Sequence, residues 1–265
     1  MAAAARVASL PVLVLVYYAW GVDWLGHRIR LPFLVERLGR RHPARHVGAA
    51  LQLGVAVGLQ AGFFCLLVVL YTPLDAVTEW VSIDPLLLAL GVVLGVGEMG
   101  LATLLGLFAI MVADAWPRPA GVAARSPATA SHWGTTAKGG WMQYYIKAMA
   151  ILPRPVAVAV VSLYVVFEEG VFRGVLLTAV APYGAGLAVL VSAAAFMVVQ
   201  VFHMPGWRTA LFPALGALVV GVVHGELFLE TGRLTPLAVA HISYFFSAMW
   251  SIRKLKVTPR MSSLG

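Results

Sequence analysis

Runs of apolar residues, each about as long as a helix needs to be to cross a bilayer, decide what this chain can become. The hydrocarbon core takes about 20 helical residues to span. That template finds seven candidates, near residues 8–26, 47–71, 85–113, 155–180, 184–203, 209–229 and 235–250. Backbone at that depth must satisfy its own hydrogen bonds, so such runs become helices. The expected fold is therefore all-α, a polytopic membrane protein of about seven transmembrane helices. Composition agrees, with 61% hydrophobic and 11% charged residues. Only Arg6 precedes the first run and bulky residues follow it, so it reads as a retained span rather than a cleaved signal.

The formal net charge of +8 does not indicate a nucleic-acid partner, because the basic residues cluster between apolar runs, where cytoplasmic loops concentrate Lys and Arg. Residues 27–46 carry Arg28, Arg30, Arg37, Arg40, Arg41 and Arg45, and residues 114–154 carry Arg118, Arg125, Lys138, Lys147 and Arg154. The loop 72–84 holds Asp75, Glu79 and Asp84 with no basic residue. This alternation predicts an outside N-terminus and a cytoplasmic C-terminus, with Arg233 the one dissenting charge. The expected organisation is 1–154, N-terminal spans and a cytoplasmic interfacial loop; 155–250, a helical core; and 251–265, a basic cytoplasmic tail. Trp133, Trp141, Tyr144 and Tyr145, interleaved with Lys138 and Lys147, suit either a segment at the headgroup level or an ordinary connector. The single cysteine, Cys65, offers no disulfide within one chain.

Against this apolar background the stretch Val165–Leu177, VVFEEGVFRGVLL, stands out. An ionisable group at membrane depth costs roughly 2.5 kcal/mol or more and persists where it is paired or functional. Glu169 and Arg173 are one helical turn apart and can meet as an ion pair. Glu168 is rotated about 100° away and is left for chemistry. His203, His224 and His241, on successive spans, are its candidate partners. A carboxylate in a water-poor site can take a proton from water near neutral pH, and imidazoles can orient that water or donate to a developing oxyanion. Together such groups could hydrolyse a peptide bond. Glu98, among glycines in the third span, reads as hydrogen-bonded to a neighbouring helix. Asp23 and Glu226 lie nearer span ends and are assigned nothing.

FEEGVFRG, Phe167–Gly174, resembles the EExxxR signature of the CAAX protease and bacteriocin-processing family. GVVHGELFLETGRLTPLAVAH, Gly221–His241, is similar to that family's last segment. The resemblance covers roughly Pro155–Trp250. It implies an all-helical intramembrane glutamic protease in which Glu168 activates water, Glu169 and Arg173 are structural, His203 helps hold the water and His241 serves the oxyanion site. Two motif positions depart. The second motif is usually FxxxH, yet Val199 stands four before His203; the third is usually HxxxN, yet Phe245 stands four after His241. Ser243, Tyr244 and His224 are the candidates to replace the asparagine.

The reading implies an endopeptidase acting on a membrane-anchored protein or peptide, without a cofactor. Zinc on Glu168, His203 and His241 is the disfavoured variant, because HExxH spacing is lacking. The alternatives are a non-proteolytic immunity or scaffold protein of the same fold and a proton-coupled transporter. The Ala, Val, Gly and Arg bias suits a bacterial inner membrane.

Overall fold

A computed structural model describes residues 2–22, 36–37, 43–115, 142–202, 204 and 207–254. Among them there is helix and no strand, as the bilayer argument requires. In chain order the helices are α1 Ala2–Val16, continuing as a π-helical turn Tyr17–Val22; α2 Ala44–Tyr71; α3 Leu74–Trp80; α4 Pro85–Ala115; α5 Met142–Met149; α6 Arg154–Glu169; α7 Ala185–Phe202; α8 Trp207–Thr231; and α9 Thr235–Lys254. Between α6 and α7 the helix runs on through a π-helical stretch, Gly170–Leu177, a short α turn, Thr178–Val180, and a 3₁₀ turn, Ala181–Tyr183.

Among the described residues five helical stretches are long and apolar enough to cross a membrane: His46–Tyr71, Pro85–Val112, Arg154–Tyr183, Ala185–Phe202 and Ala210–Thr231. The expectation of seven is met at these five. The first run is shorter, its apolar helix covering Val7–Gly21, with residues 23–26 outside the described set. The seventh, α9, is a full 20 residues, but Thr235, His241, Ser243, Ser247 and the terminal Arg253 and Lys254 dilute its apolar character. The loop 114–154 contains α5, which packs on α2 and α6; Trp133 and Trp141 lie outside the described residues.

Small residues let the helices close on one another, as expected where lipid removes most hydrophobic drive between them. On α4, Gly91, Gly95, Glu98 and Ala102 form one buried face at helical spacing, while Val93, Leu104 and Phe108 are exposed where lipid would lie. That buried face seats α9. A Cβ at Gly91 would come within 2.6 Å of the Pro236 carbonyl oxygen, and one at Gly95 would collide with the Ala240 carbonyl. A second seam joins α8 to α7, where a Cβ at Gly221 would meet the Ala193 methyl at 2.7 Å and one at Gly225 the Val189 side chain at 3.1 Å. The α6 helix and its π-helical continuation touch α1, α2, α7, α8 and α9, and so occupy the middle of the bundle. Glycines there admit aromatic rings, Phe64 against Gly170 and Trp80 against Gly174.

At one end the turn between α8 and α9 is strapped to the segment between α3 and α4. The Leu234 amide donates to the Trp80 carbonyl at 2.9 Å, and the Thr235 hydroxyl donates to the carbonyls of Trp80 at 3.2 Å and Ser82 at 3.0 Å. Arg233 pairs with Asp84 at 3.1 Å. The amides of Leu87 and Leu86, with Arg233, hold the Asp84 carboxyl below the usual carboxylate range. The dissenting cation thus sits beside an acid of the loop 72–84.

The seam gives a stability prediction. Gly95→Ala must push α9 off a backbone carbonyl that cannot yield, and overpacking of this kind costs about 1–3 kcal/mol. Gly97→Ala, with nothing within 4 Å of the added carbon, is the matched control. Denaturant unfolding in micelles that finds the two variants alike would sink the seam.

Candidate functional site

Among the described residues, the buried charged and histidine side chains are Glu98, Glu168, Glu169, Arg173, His224 and His241. All belong to one cluster, as the cost of isolated charge in lipid demands.

Glu169 is its centre. Its Oε1 accepts from His241 Nδ1 at 2.6 Å, lies 3.1 Å from His224 Nδ1, and accepts from Arg173 Nη1 at 3.4 Å; Arg173 Nη1 is also 3.3 Å from Oε2. The i, i+4 pairing of Glu169 with Arg173 read from the sequence is present. The two histidines on it come from α8 and α9. His224 reaches further, with Nε2 3.2 Å from Glu98 Oε1 on α4. The His224 contacts are ion-pair approaches that fall short of hydrogen-bond direction. The Arg173 guanidinium also stacks over the Phe196 ring, 4.6 Å from its centroid. Phe196 meets the His241 ring edge-on at 5.7 Å, so one aromatic side chain of α7 braces two of the three partners of Glu169.

Glu168 faces another way. Its polar contact is Gln200 on α7, with Nε2 3.5 Å from Oε1, at the outer limit of a direct bond. Tyr18, Tyr145 and Tyr164 lie within electrostatic range of it. Tyr164 is one turn before Glu168 and Tyr145 packs on it at 6.3 Å. Tyr145 also lies 4.9 Å from Phe245, so α5 closes the site on that side.

The five residues singled out for catalysis therefore divide. Arg173 and His241 both contact Glu169, Glu168 is adjacent with its own partner, and His203 lies outside the described residues. The α7 side chain that reaches Glu168 is Gln200, three residues before His203. Gln200 stands four after Phe196, so the FxxxH spacing also fits Phe196 to Gln200 with glutamine in place of histidine. A phenylalanine one helical turn before a polar residue was the available signal, and the nearby histidine obscured it. His224 and Glu98 were visible as buried polar residues, but their pairing depends on how far α4 and α8 tilt, which residue spacing does not carry.

Chemically the cluster holds a carboxylate with few bonds, Glu168, beside one whose Oε1 gathers three cationic or imidazole partners, Glu169. His241 engages Glu169 through Nδ1, which leaves Nε2 outside that contact. Among the described residues no three His, Cys, Asp or Glu side chains converge as a metal-binding group; the His224 nitrogens face two carboxylates on opposite sides of the ring.

The unequal partnering sets the expected cost of each substitution. Glu169→Gln strands a buried guanidinium and two imidazoles, and truncating one partner of a buried pair costs about 3–5 kcal/mol. Glu168→Gln removes a charge held by one amide and leaves stability nearly unchanged. Unfolding curves of the two variants in the same detergent check this, and equal losses would contradict the division.

Comparison with known families bears on residues 150–246, which match the family model described as type II CAAX prenyl endopeptidase Rce1-like. The matched segment contains Glu168, Glu169, Arg173, Gln200, His224 and His241, and covers just over a third of the chain. No curated protein and no solved structure matches. The match points to a CAAX-type protease of the membrane. Residues 150–246 are thus similar to the Rce1-like, type II CAAX prenyl endopeptidases.

Proposed function

We propose that the protein is an intramembrane endopeptidase that hydrolyses a peptide bond in a membrane-anchored protein or peptide, with Glu168 as the base that activates water. The observation that carries this reading is the difference between the two adjacent glutamates. Glu169 is surrounded by Arg173, His224 and His241, whereas Glu168 is buried with Gln200 as its hydrogen-bond partner.

In this reading a water sits beside the Glu168–Gln200 pair, within hydrogen-bond reach of both. Glu168 removes one proton as the oxygen attacks the scissile carbonyl carbon, and the carbonyl electrons move onto oxygen to give a tetrahedral oxyanion. In its protonated form, with Nδ1–H on Glu169, His241 donates Nε2–H to that oxyanion. Collapse breaks the C–N bond, and Glu168 returns its proton to the leaving nitrogen. Water supplies the hydroxyl of the new acid and the hydrogen of the new amine. No metal is needed to balance these steps.

The proposed orientation keeps the N-terminus outside. The Arg233–Asp84 pair supports it, since the basic residue that contradicted the charge rule joins an acid of the loop assigned outside. Cysteines introduced between Thr72 and Asp84 should react with an impermeant reagent added to whole cells, and protection there would reverse the orientation. The expected membrane is a bacterial inner membrane.

Two features favour a second reading, a non-proteolytic scaffold of the same fold: Phe245 four after His241, and glutamine instead of histidine beside Glu168. Comparing the membrane-fraction proteome of cells carrying the wild type or Glu168→Gln decides between them. Protease action predicts substrates that accumulate uncut with the variant while its fold is unchanged, and Gln200→His that cleaves at least as well as the wild type. Identical proteomes would leave the scaffold reading.

A further inference from the structure

His224 and Glu98 take no part in the chemistry above, yet both are buried, and Glu98 comes from α4, outside the family-matched segment 150–246. His224 lies between two carboxylates, with Nδ1 3.1 Å from Glu169 and Nε2 3.2 Å from Glu98. A neutral imidazole carries one N–H and one lone pair. Either neutral tautomer would therefore leave one unprotonated nitrogen within ion-pair distance of a carboxylate, while an imidazolium puts positive charge and an N–H beside each. Charge balance agrees: Glu98 and Glu169 supply two negative charges, and Arg173 with a protonated His224 supplies two positive ones. These four groups close to neutrality by themselves, as burial in lipid requires. Glu168 is then left to take and return a proton during reaction, and His241 to donate to the oxyanion.

Other titratable side chains border this pair. From α6 and its continuation they are Glu168, Glu169 and Arg173, and from α9 they are His241, whose ring is 6.0 Å from that of His224, and Tyr244, 6.4 Å from His241. Apart from Glu169, Glu98 is the one carboxylate at ion-pair distance from His224 among the described residues.

We propose that Glu98 is a positioning residue of the site: it holds His224 as an imidazolium, and His224 in turn fixes the Glu169 oxygen on which His241 is oriented. The inference rests on the protease reading for its effect on turnover, but not for the pair itself. Glu98 thus brings α4 into a site otherwise built from α6, α7, α8 and α9. The close approach of α4 at Gly91 and Gly95, one and two turns before Glu98 on the same face, is what admits a carboxylate there.

The test uses the full-length protein in lipid nanodiscs with nitrogen-15 in its histidines, and His224→Gln to assign the signal. In the wild type at neutral pH both ring nitrogens of His224 should carry protons, and in Glu98→Gln one should lose its proton. Membrane fractions holding an accumulated substrate should show kcat lowered about 10- to 100-fold by Glu98→Gln, the range seen when a group that orients a site ligand is removed. KM should change little, and Glu98→Asp should recover part of the loss. A neutral His224 in the wild type overturns the proposal even if Glu98→Gln fails to fold, and so does an unchanged nitrogen signature in a folded Glu98→Gln. A wild type that cleaves nothing overturns the protease reading alone, because the nitrogen resonances still decide the pair.

Discussion

One carboxylate oxygen, Glu169 Oε1, ties the molecule together. Arg173 from its own helix, His224 from α8 and His241 from α9 all reach it, and through His224 the contact extends to Glu98 on α4. In water such an arrangement would compete with solvent. In the middle of an apolar bundle lipid offers these groups no competing partner, so the polar contacts specify which helices meet and at what height. The glycine seams supply the complementary half: α4 with α9 and α7 with α8 approach closely enough for these short contacts only because a Cβ is missing where backbones or methyl groups touch.

The same arrangement divides labour between neighbours in sequence. Two consecutive glutamates on a helix point about 100° apart, so gathering cationic or imidazole partners on one leaves the other facing different elements. Here those elements are α7, through Gln200, and the tyrosines of α1, α5 and α6. That division is the physical content of the EExxxR pattern. It also explains why the two glutamates are expected to respond in opposite ways to the same substitution.

How much of this was legible in the sequence follows from the range over which each interaction acts. Helix class and the five most apolar spans are written in local apolarity. The Glu169–Arg173 pair is written in one-turn spacing, as is the offset of Glu168. The role of His241 was read by resemblance, and its contact with Glu169 agrees in geometry without testing that role. What escaped was everything decided by tilt and depth. Glu98 and His224 meet although they lie at different distances from their helix ends, and no residue spacing encodes that. Gln200 escaped because an ordinary amide near a histidine attracts no notice until the chain is folded. The π-helical stretch Gly170–Leu177 escaped too, since a change from i+4 to i+5 bonding leaves little trace in apolar periodicity.

The strap that fastens the α8–α9 turn to Trp80, Ser82 and Asp84 acts as a vernier for this centre. A helix displaced by one residue moves 1.5 Å along its axis, whereas the donor–acceptor distances of a good hydrogen bond span only about 0.5 Å. His241 lies six residues beyond Thr235, so the height at which Thr235 is pinned is the height at which the imidazole meets Glu169. The alignment of a centre deep in the bundle is thereby set at the bundle's end, by groups that never touch a reacting atom.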